Sequence, residues 1–326
     1  MQSVRLCWIL VIVCELIAVF FMQVVWGLES APTASQHLLN EITTSTRPLF
    51  GMHDNVGGDQ TDGFETIIKQ CGVRPKILSM EFGFSVHPNE DYRRRLVLFD
   101  KLKYAGQQGI LITLSWHQCN PTLDEPCTFD QGVQKSLSSA DWNSLLTVGG
   151  ELNRKWKIHV DRLAMYLKLL QDAGIPVLLR PYHEANVPGF WWANADARYS
   201  IQLWKQLRIY LTGHHGIKNI VWVWSVSFHP KYWARVGEYY PGDDVVDVVG
   251  LDIYPPTRND EPDFERAWTA LKHIAPSKPL ALTEVSRLPS PQELQTRKWV
   301  YVVPWGKTML FRDNTRSQIC NVFSIN

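Results

Sequence analysis

The chain has 326 residues, 45% of them hydrophobic and 20% charged, with a formal net charge of +1. That composition can bury a full core, and the length suits either two domains or one large α/β barrel. Near-neutral charge without a basic block argues against nucleic acid or an acidic membrane surface as the main partner. Tryptophan is in excess, at 14. So many indoles build either a large aromatic core or a surface that stacks flat apolar faces, such as those of sugar rings.

The N-terminus stands apart from the fold. Arg5 precedes "LCWILVIVCELIAVFFMQVVWG", broken only by Glu15 and Gln23, and Gly27, Ser30 and Ala31 follow. Residues 1–28 are therefore predicted to be a secretory signal peptide. The run nearly matches a bilayer span, so an uncleaved N-terminal membrane anchor is the alternative. Residues 29–45 read as a polar linker, and residues 46–326 as one folded domain.

Short apolar runs then alternate with longer amphipathic ones. Strands are predicted at Arg47–Asn55, Pro75–Gly83, Ile110–Gln118, Pro176–Glu184, Ile220–Ser227, Val245–Tyr254, Lys278–Ser286 and Trp299–Gly306. The runs are nearly continuous in Val, Leu and Ile, as in parallel strands buried on both faces. Helical spacing with a closing glycine marks "NEDYRRRLVLFDKLKYAGQQG", "KWKIHVDRLAMYLKLLQDAG" and "NADARYSIQLWKQLRIYLTGHHG". Eight such units predict an α/β fold, a single (β/α)8 TIM barrel. A doubly wound open sheet competes, but no Gly-rich nucleotide turn follows any strand. The longest connection, Cys119–Arg154, carries Trp142, Gly149 and Gly150 and reads as a functional loop.

Four cysteines lie beyond the N-terminal segment: Cys71, Cys119, Cys127 and Cys320. An even count in an exported chain suggests disulfides. Cys119 and Cys127 flank a short loop and pair most simply, leaving Cys71 for Cys320; four buried thiols are the alternative. No CxxC occurs, so a cysteine metal site is not indicated.

In a (β/α)8 barrel the chemistry sits where strands end. The polar residues at those ends are His53 and Asp54, Glu81, Trp116 and His117, Arg180 to Glu184, Trp224, Asp252 and Tyr254, Glu284, and Trp305. Glu184 ends the fourth strand and Glu284 the seventh, so both face one cleft. Two carboxylates in one cleft are the minimum set for glycoside hydrolysis, one protonated and one ionised. The "GFWW" after Glu184 offers an apolar wall that would keep it protonated. Tyr254 is placed to donate to Glu284 and keep it ionised. The structural alternatives are plain ones: Arg180 as a salt-bridge partner for Glu184, His183 as a core histidine, Trp305 as core.

"LRPYHEAN" followed by "FWW" resembles the acid/base segment of glycoside hydrolase family 26, the retaining β-mannanases and their relatives. "GILITLSWHQCNP", "YYPGDDVVDVVGLDIYP", "KPLALTEVS" and "VVPWGK" resemble the same family. The resemblance runs from about residue 47 to the C-terminus. It implies a (β/α)8 glycosidase with Glu184 as acid/base and Glu284 as nucleophile. His117, Trp116 and Trp156 would border the sugar, His183 and Arg180 would support it, Tyr254 would bond the nucleophile, and Trp305 would form the floor. The fifth residue after the acid is often aromatic in that family. Here it is Gly189, with Trp191 or Trp192 as substitutes.

The expected activity is endo-hydrolysis of β-1,4-mannan with retention, with carboxyl groups roughly 5–5.5 Å apart. Mixed-linkage β-glucan and β-1,3-xylan are the alternative substrates. No cofactor or metal is needed, and the protein is expected to be a secreted monomer whose partner is a β-linked polysaccharide or oligosaccharide substrate. Two other classes compete. One is a non-catalytic carbohydrate-binding protein. The other is a metal-dependent hydrolase using His53, His117 and His183, although strand one has "MHDN" where such barrels usually place His-x-His.

Overall fold

A computed structural model describes residues 32–56, 61–83, 91–257 and 260–324. The predicted signal segment lies outside them. Eight parallel strands close a barrel in sequence order: β1 Leu49–Asp54, β2 Ile77–Glu81, β3 Leu111–Trp116, β4 Val177–Pro181, β5 Ile220–Ser227, β6 Val248–Ile253, β7 Leu280–Val285 and β8 Trp299–Pro304. Each lies within its predicted run. The runs are longer because their polar ends leave the ladder for the loops. Register slips at β6–β7 and β7–β8.

The helices are α1 Ala34–Thr44, α2 Gly63–Cys71, α3 Asp91–Gln107, α4 Ser139–Leu146, α5 Glu151–Asp172, α6 Ala197–Ile209, α7 Phe264–Ile274, α8 Pro291–Thr296, α9 Lys307–Asp313 and α10 Arg316–Phe323. One correction concerns α1. Where residues 29–45 were expected to be a linker, Leu38 and Ile42 are buried in a cluster with Ile77, Leu178, Val221, Val248, Val300 and Tyr301. These strand residues face the barrel interior near its N-terminal end, and α1 plugs that end. The helix "ASQHLLNEITT" offers few apolar residues to a periodicity search, and its stability comes from the core it closes.

The connection Cys119–Arg154 is also more ordered than a long loop. It holds a π-helical turn (Phe129–Val133), α4 and the first turn of α5. Ser138 and Asp141 form a capping box on α4. Its Trp142 is buried against Trp191 and Tyr199. Both expected disulfides are present, Cys71–Cys320 and Cys119–Cys127. The first ties α2 to α10; the second closes the base of the loop after β3.

Candidate active site

The fourth strand stops being regular where the chemistry begins. Tyr182 and Glu184 have φ of 46° and 55°, left-handed conformations that cost non-glycine residues about 1–3 kcal/mol each. Neighbours hold them there. The Glu184 N–H donates to the Ser225 carbonyl at 3.0 Å. Asn186 donates to the Ser227 carbonyl (2.8 Å) and accepts from the Ser227 N–H (2.9 Å). Trp192 Nε1 donates to the His183 carbonyl at 2.7 Å.

The turn sends three successive side chains to three places. The Tyr182 hydroxyl lies behind the site, donating to Gln118 (2.6 Å) and accepting from Trp156 Nε1 (2.8 Å). His183 Nε2 meets His117 Nε2 at 3.0 Å. Glu184 enters the cleft, where its carboxylate, Asp252 and Glu284 present oxygens within 4.8 Å of one another.

One cation bridges two of those three acids. Arg180, buried on β4, donates through Nη1 to Asp252 (2.9 Å) and Ser225 (3.1 Å), and through Nη2 to Glu284. The guanidinium makes no hydrogen bond or ion pair with Glu184, so the salt-bridge alternative for that residue does not hold. The Tyr254 hydroxyl donates to Glu284 Oε2 at 2.6 Å. Thr283 donates to Asp252 at 2.6 Å.

Glu184 is the acid without its own cation, and its pKa is pushed well above the carboxylate range. Burial is the first cause, then the charges of Asp252 and Glu284; Arg180 and Ser227 act against the shift. The aromatic wall expected from "GFWW" therefore acts together with a second cause, the neighbouring carboxylates. Burial also lifts Asp252, while Arg180, Thr283 and Ser225 hold it down. Burial and the Glu284 charge push the Tyr254 hydroxyl far up, so it stays a donor.

Glu81 anchors the other side, accepting from His117 Nδ1 at 2.7 Å. Gly83 has no room for a side chain there: a Cβ would overlap the His117 carbonyl. His53 stacks on Trp305 with ring centroids 3.7 Å apart, and the Arg180 guanidinium lies 5.8 Å from the Trp305 ring.

Of the predicted site residues, Glu184, Glu284, Arg180, His117, His183, Tyr254 and Trp305 converge. Three tryptophans do not line the cleft. Trp116 and Trp156 are fully buried, Trp156 beneath Tyr182. Trp191 is fully buried too, its Nε1 donating to the Gln118 carbonyl at 2.7 Å. Trp192 is equally buried. Trp191 and Trp192 support the site from behind, their N–H groups tying down the Gln118 and His183 carbonyls. The half-buried ring is Phe190, stacked on Trp192 (4.6 Å) and against His117 and His183 (5.3 Å each). Phe129 from the disulfide loop meets Phe190 edge-on at 6.1 Å. Gly189 has φ 149°, a conformation strained for any side chain, so an aromatic cannot replace it without a change of backbone.

Three functional residues were underweighted in the sequence. Asp252 and Glu81 had been noted at strand ends but given no role, and Phe190 was passed over for its neighbours. Their strand-end or loop position was the available signal. The proposed histidine metal set does not form. His53 is engaged by Ser79 and Asn55, and His117 by Glu81 and His183. The three carboxylates could chelate a cation, but Arg180 already fills that position between two of them.

A family model described as glycosyl hydrolase family 26 matches residues 37–323. The chain belongs to glycosyl hydrolase family 26. The match begins inside α1, in accord with that helix being part of the domain. Mannan endo-1,4-beta-mannosidase of Thermothelomyces thermophilus is 29% identical over 279 residues, which are 81% of this chain and 54% of that protein. The chain spans about half the length of the curated relatives it matches. Among solved family 26 structures, GH26A from Muricauda sp. MAR_2010_75 superposes with a TM-score of 0.81 at 28% identity, covering 91% of this chain and 95% of that one. A β-mannanase from a symbiotic protist of the termite Reticulitermes speratus, complexed with gluco-manno-oligosaccharide, gives 0.79 at 25% identity, covering 90% and 93%.

Proposed function

We propose that this family 26 chain is a retaining endo-β-1,4-mannanase acting on mannan or galactomannan. The observation that carries the reading is the close pair Glu184 and Glu284, alike in chemistry and opposite in surroundings. Their oxygens lie within 4.8 Å, a spacing for direct attack rather than the ~6.5–9.5 Å that admits a water in inverting enzymes.

Glu184, kept protonated, gives its proton to the glycosidic oxygen as the bond to the anomeric carbon breaks. Glu284, bonded by Arg180 and Tyr254, attacks that carbon and forms a glycosyl-enzyme ester. Water then enters, Glu184 takes its proton, and the sugar leaves with its original configuration. Trp305 is the floor under the sugar, and His117 and His183 border it with Arg180 behind. The substrate choice rests on the mannan-cleaving relatives.

The test is a panel of mannan, galactomannan, barley glucan and β-1,3-xylan with product lengths resolved, and NMR of the first anomer released. Short mannooligosaccharides appearing first as the β-anomer support the reading. Initial release of the α-anomer sinks retention; preference for another glycan sinks the substrate. Glu284→Ala abolishes turnover, whereas equal inactivity of wild type and variant would mean a sugar-binding protein. Secretion through residues 1–28, with the anchor as alternative, and a monomeric state belong to the same proposal. The N-terminal sequence and native mass of the exported protein test them.

A further inference from the structure

Glu81, buried at the end of β2, takes four hydrogen bonds. Its Oε1 accepts from the backbone N–H groups of Gly83 (2.5 Å) and His117 (2.9 Å). Its Oε2 accepts from Ser115 Oγ (2.6 Å) and His117 Nδ1 (2.7 Å). On the other side of the ring, His117 Nε2 faces His183 Nε2 at 3.0 Å. Two ring nitrogens at that distance need one proton between them. The remaining nitrogen, His183 Nδ1, is buried with no hydrogen-bond partner among the described residues.

We propose that Glu81 fixes where the protons of the His117–His183 pair reside. The carboxylate holds the His117 proton on Nδ1. His117 Nε2 then has a lone pair and accepts from His183 Nε2–H. His183 Nδ1 is left bare. No buried N–H of the pair is stranded. The opposite order would place an N–H at His183 Nδ1 with nothing to receive it, which is the costly arrangement. The charged and titratable groups facing the pair agree with this order. Burial, then Arg180 from β4, His117 itself and His53 from β1 all push His183 away from a second proton. Burial alone would raise Glu81, but the hydrogen bonds from His117 and the Ser115 hydroxyl hold it below the usual carboxylate range. In the mannanase reading, on which this inference rests for its consequence, the pair borders the sugar beside Glu184, and Glu81 is a positioning residue.

Glu81→Gln tests the idea because the site dictates how glutamine sits. Its carbonyl must occupy the Oε1 position, where two backbone N–H groups donate. Its amide NH2 then faces His117 Nδ1, which must accept. The His117 proton moves to Nε2, His183 accepts there, and its own proton moves to Nδ1. Nitrogen NMR of the histidine side chains in the full chain reads both rings directly. The expected result is reversed tautomers in Glu81→Gln and unchanged ones in Ser115→Ala, which removes a bond to Glu81 without reversing its polarity. On soluble galactomannan, kcat in Glu81→Gln falls about tenfold or more, with KM less affected. A wild-type His183 protonated on Nδ1, or a folded Glu81→Gln with both tautomers unchanged, overturns the proposal. If Glu81→Gln does not fold, the wild-type spectrum decides alone. If the wild type cleaves no β-glycan, the mannanase reading fails while the spectra still test the proton order.

Discussion

Glu184→Gln separates what the site does from what it costs the fold. The carboxylate oxygens of Glu184, Asp252 and Glu284 lie within 4.8 Å of one another. Two full negative charges that far apart repel by about 3.5 kcal/mol at an effective dielectric of about 20. Arg180 bonds Asp252 and Glu284 directly, so ionising Glu184 would set a third negative charge against one guanidinium. Glutamine keeps the shape and removes that charge. Activity on polymeric substrate falls about 10²–10⁴-fold, the usual worth of a general acid–base, while stability at neutral pH rises. The sign follows from the direction of the shift. Well below about pH 4 the wild-type carboxyl is protonated in both folded and unfolded chains, and the two proteins are alike. As pH rises, the unfolded carboxyl ionises first because the folded one is held high. Wild-type stability then falls relative to the variant until pH passes the folded pKa. Thermal unfolding of both proteins from about pH 4 to about pH 8 measures the gap. A gap that stays constant with pH, or one that closes as pH rises, refutes this electrostatic account of Glu184.

Tyr254→Phe removes the 2.6 Å bond to Glu284; a hydrogen bond to a charged group is worth about 1.5–3 kcal/mol, so kcat drops about 10–100-fold, and steady-state kinetics with unchanged kcat would deny the bond its role. Gly83→Ala forces its new methyl against the His117 carbonyl, lowering both melting temperature and kcat in parallel measurements. Replacing Cys71 and Cys320 by alanine opens a link across 249 residues and costs up to ~5 kcal/mol in denaturant melts, with kcat in the cold retained. Replacing Cys119 and Cys127, only 8 apart, costs ~2–3 kcal/mol by the same reasoning but raises KM, because it frees the loop that holds Phe129 beside Phe190.

The barrel was legible because its strands are buried on both faces and therefore read as unbroken Val, Leu and Ile, while the helices between them keep helical spacing. The two glutamates were legible because barrel geometry makes the strand end a functional address. Burial of individual aromatics was not. "FWW" in sequence gives no sign that Phe190 is half-buried while Trp191 and Trp192 face inward to bond Gln118 and His183 carbonyls. Trp156, which the resemblance placed beside the sugar, is buried on α5 beneath Tyr182. Nor could one residue at a time disclose the role of Asp252. Its meaning depends on Arg180 bridging β4 to β6 and β7, a relation across 72 and 104 residues. The helix α1 shows Ala34, Leu38, Leu39 and Ile42 at helical spacing, but its many polar residues read as a linker.

The distortion at the end of β4 follows from what that short stretch must deliver. In a regular strand Tyr182 and Glu184 would project from the same face, with His183 opposite. The site requires otherwise: Tyr182 goes behind the wall to Gln118, His183 to His117, and Glu184 to the two other carboxylates. Left-handed backbone at Tyr182 and Glu184 breaks the alternation on either side of His183. The strain persists because bonds from Ser225, Ser227 and Trp192 fix the turn at three points. A rigid turn suits a general acid whose proton must reach one oxygen of the substrate, since a loop free to relax would let Glu184 swing from the other carboxylates toward water and ionise. Trp192 and Trp191 thus hold in place, through the His183 and Gln118 carbonyls, the backbone that keeps Glu184 strained.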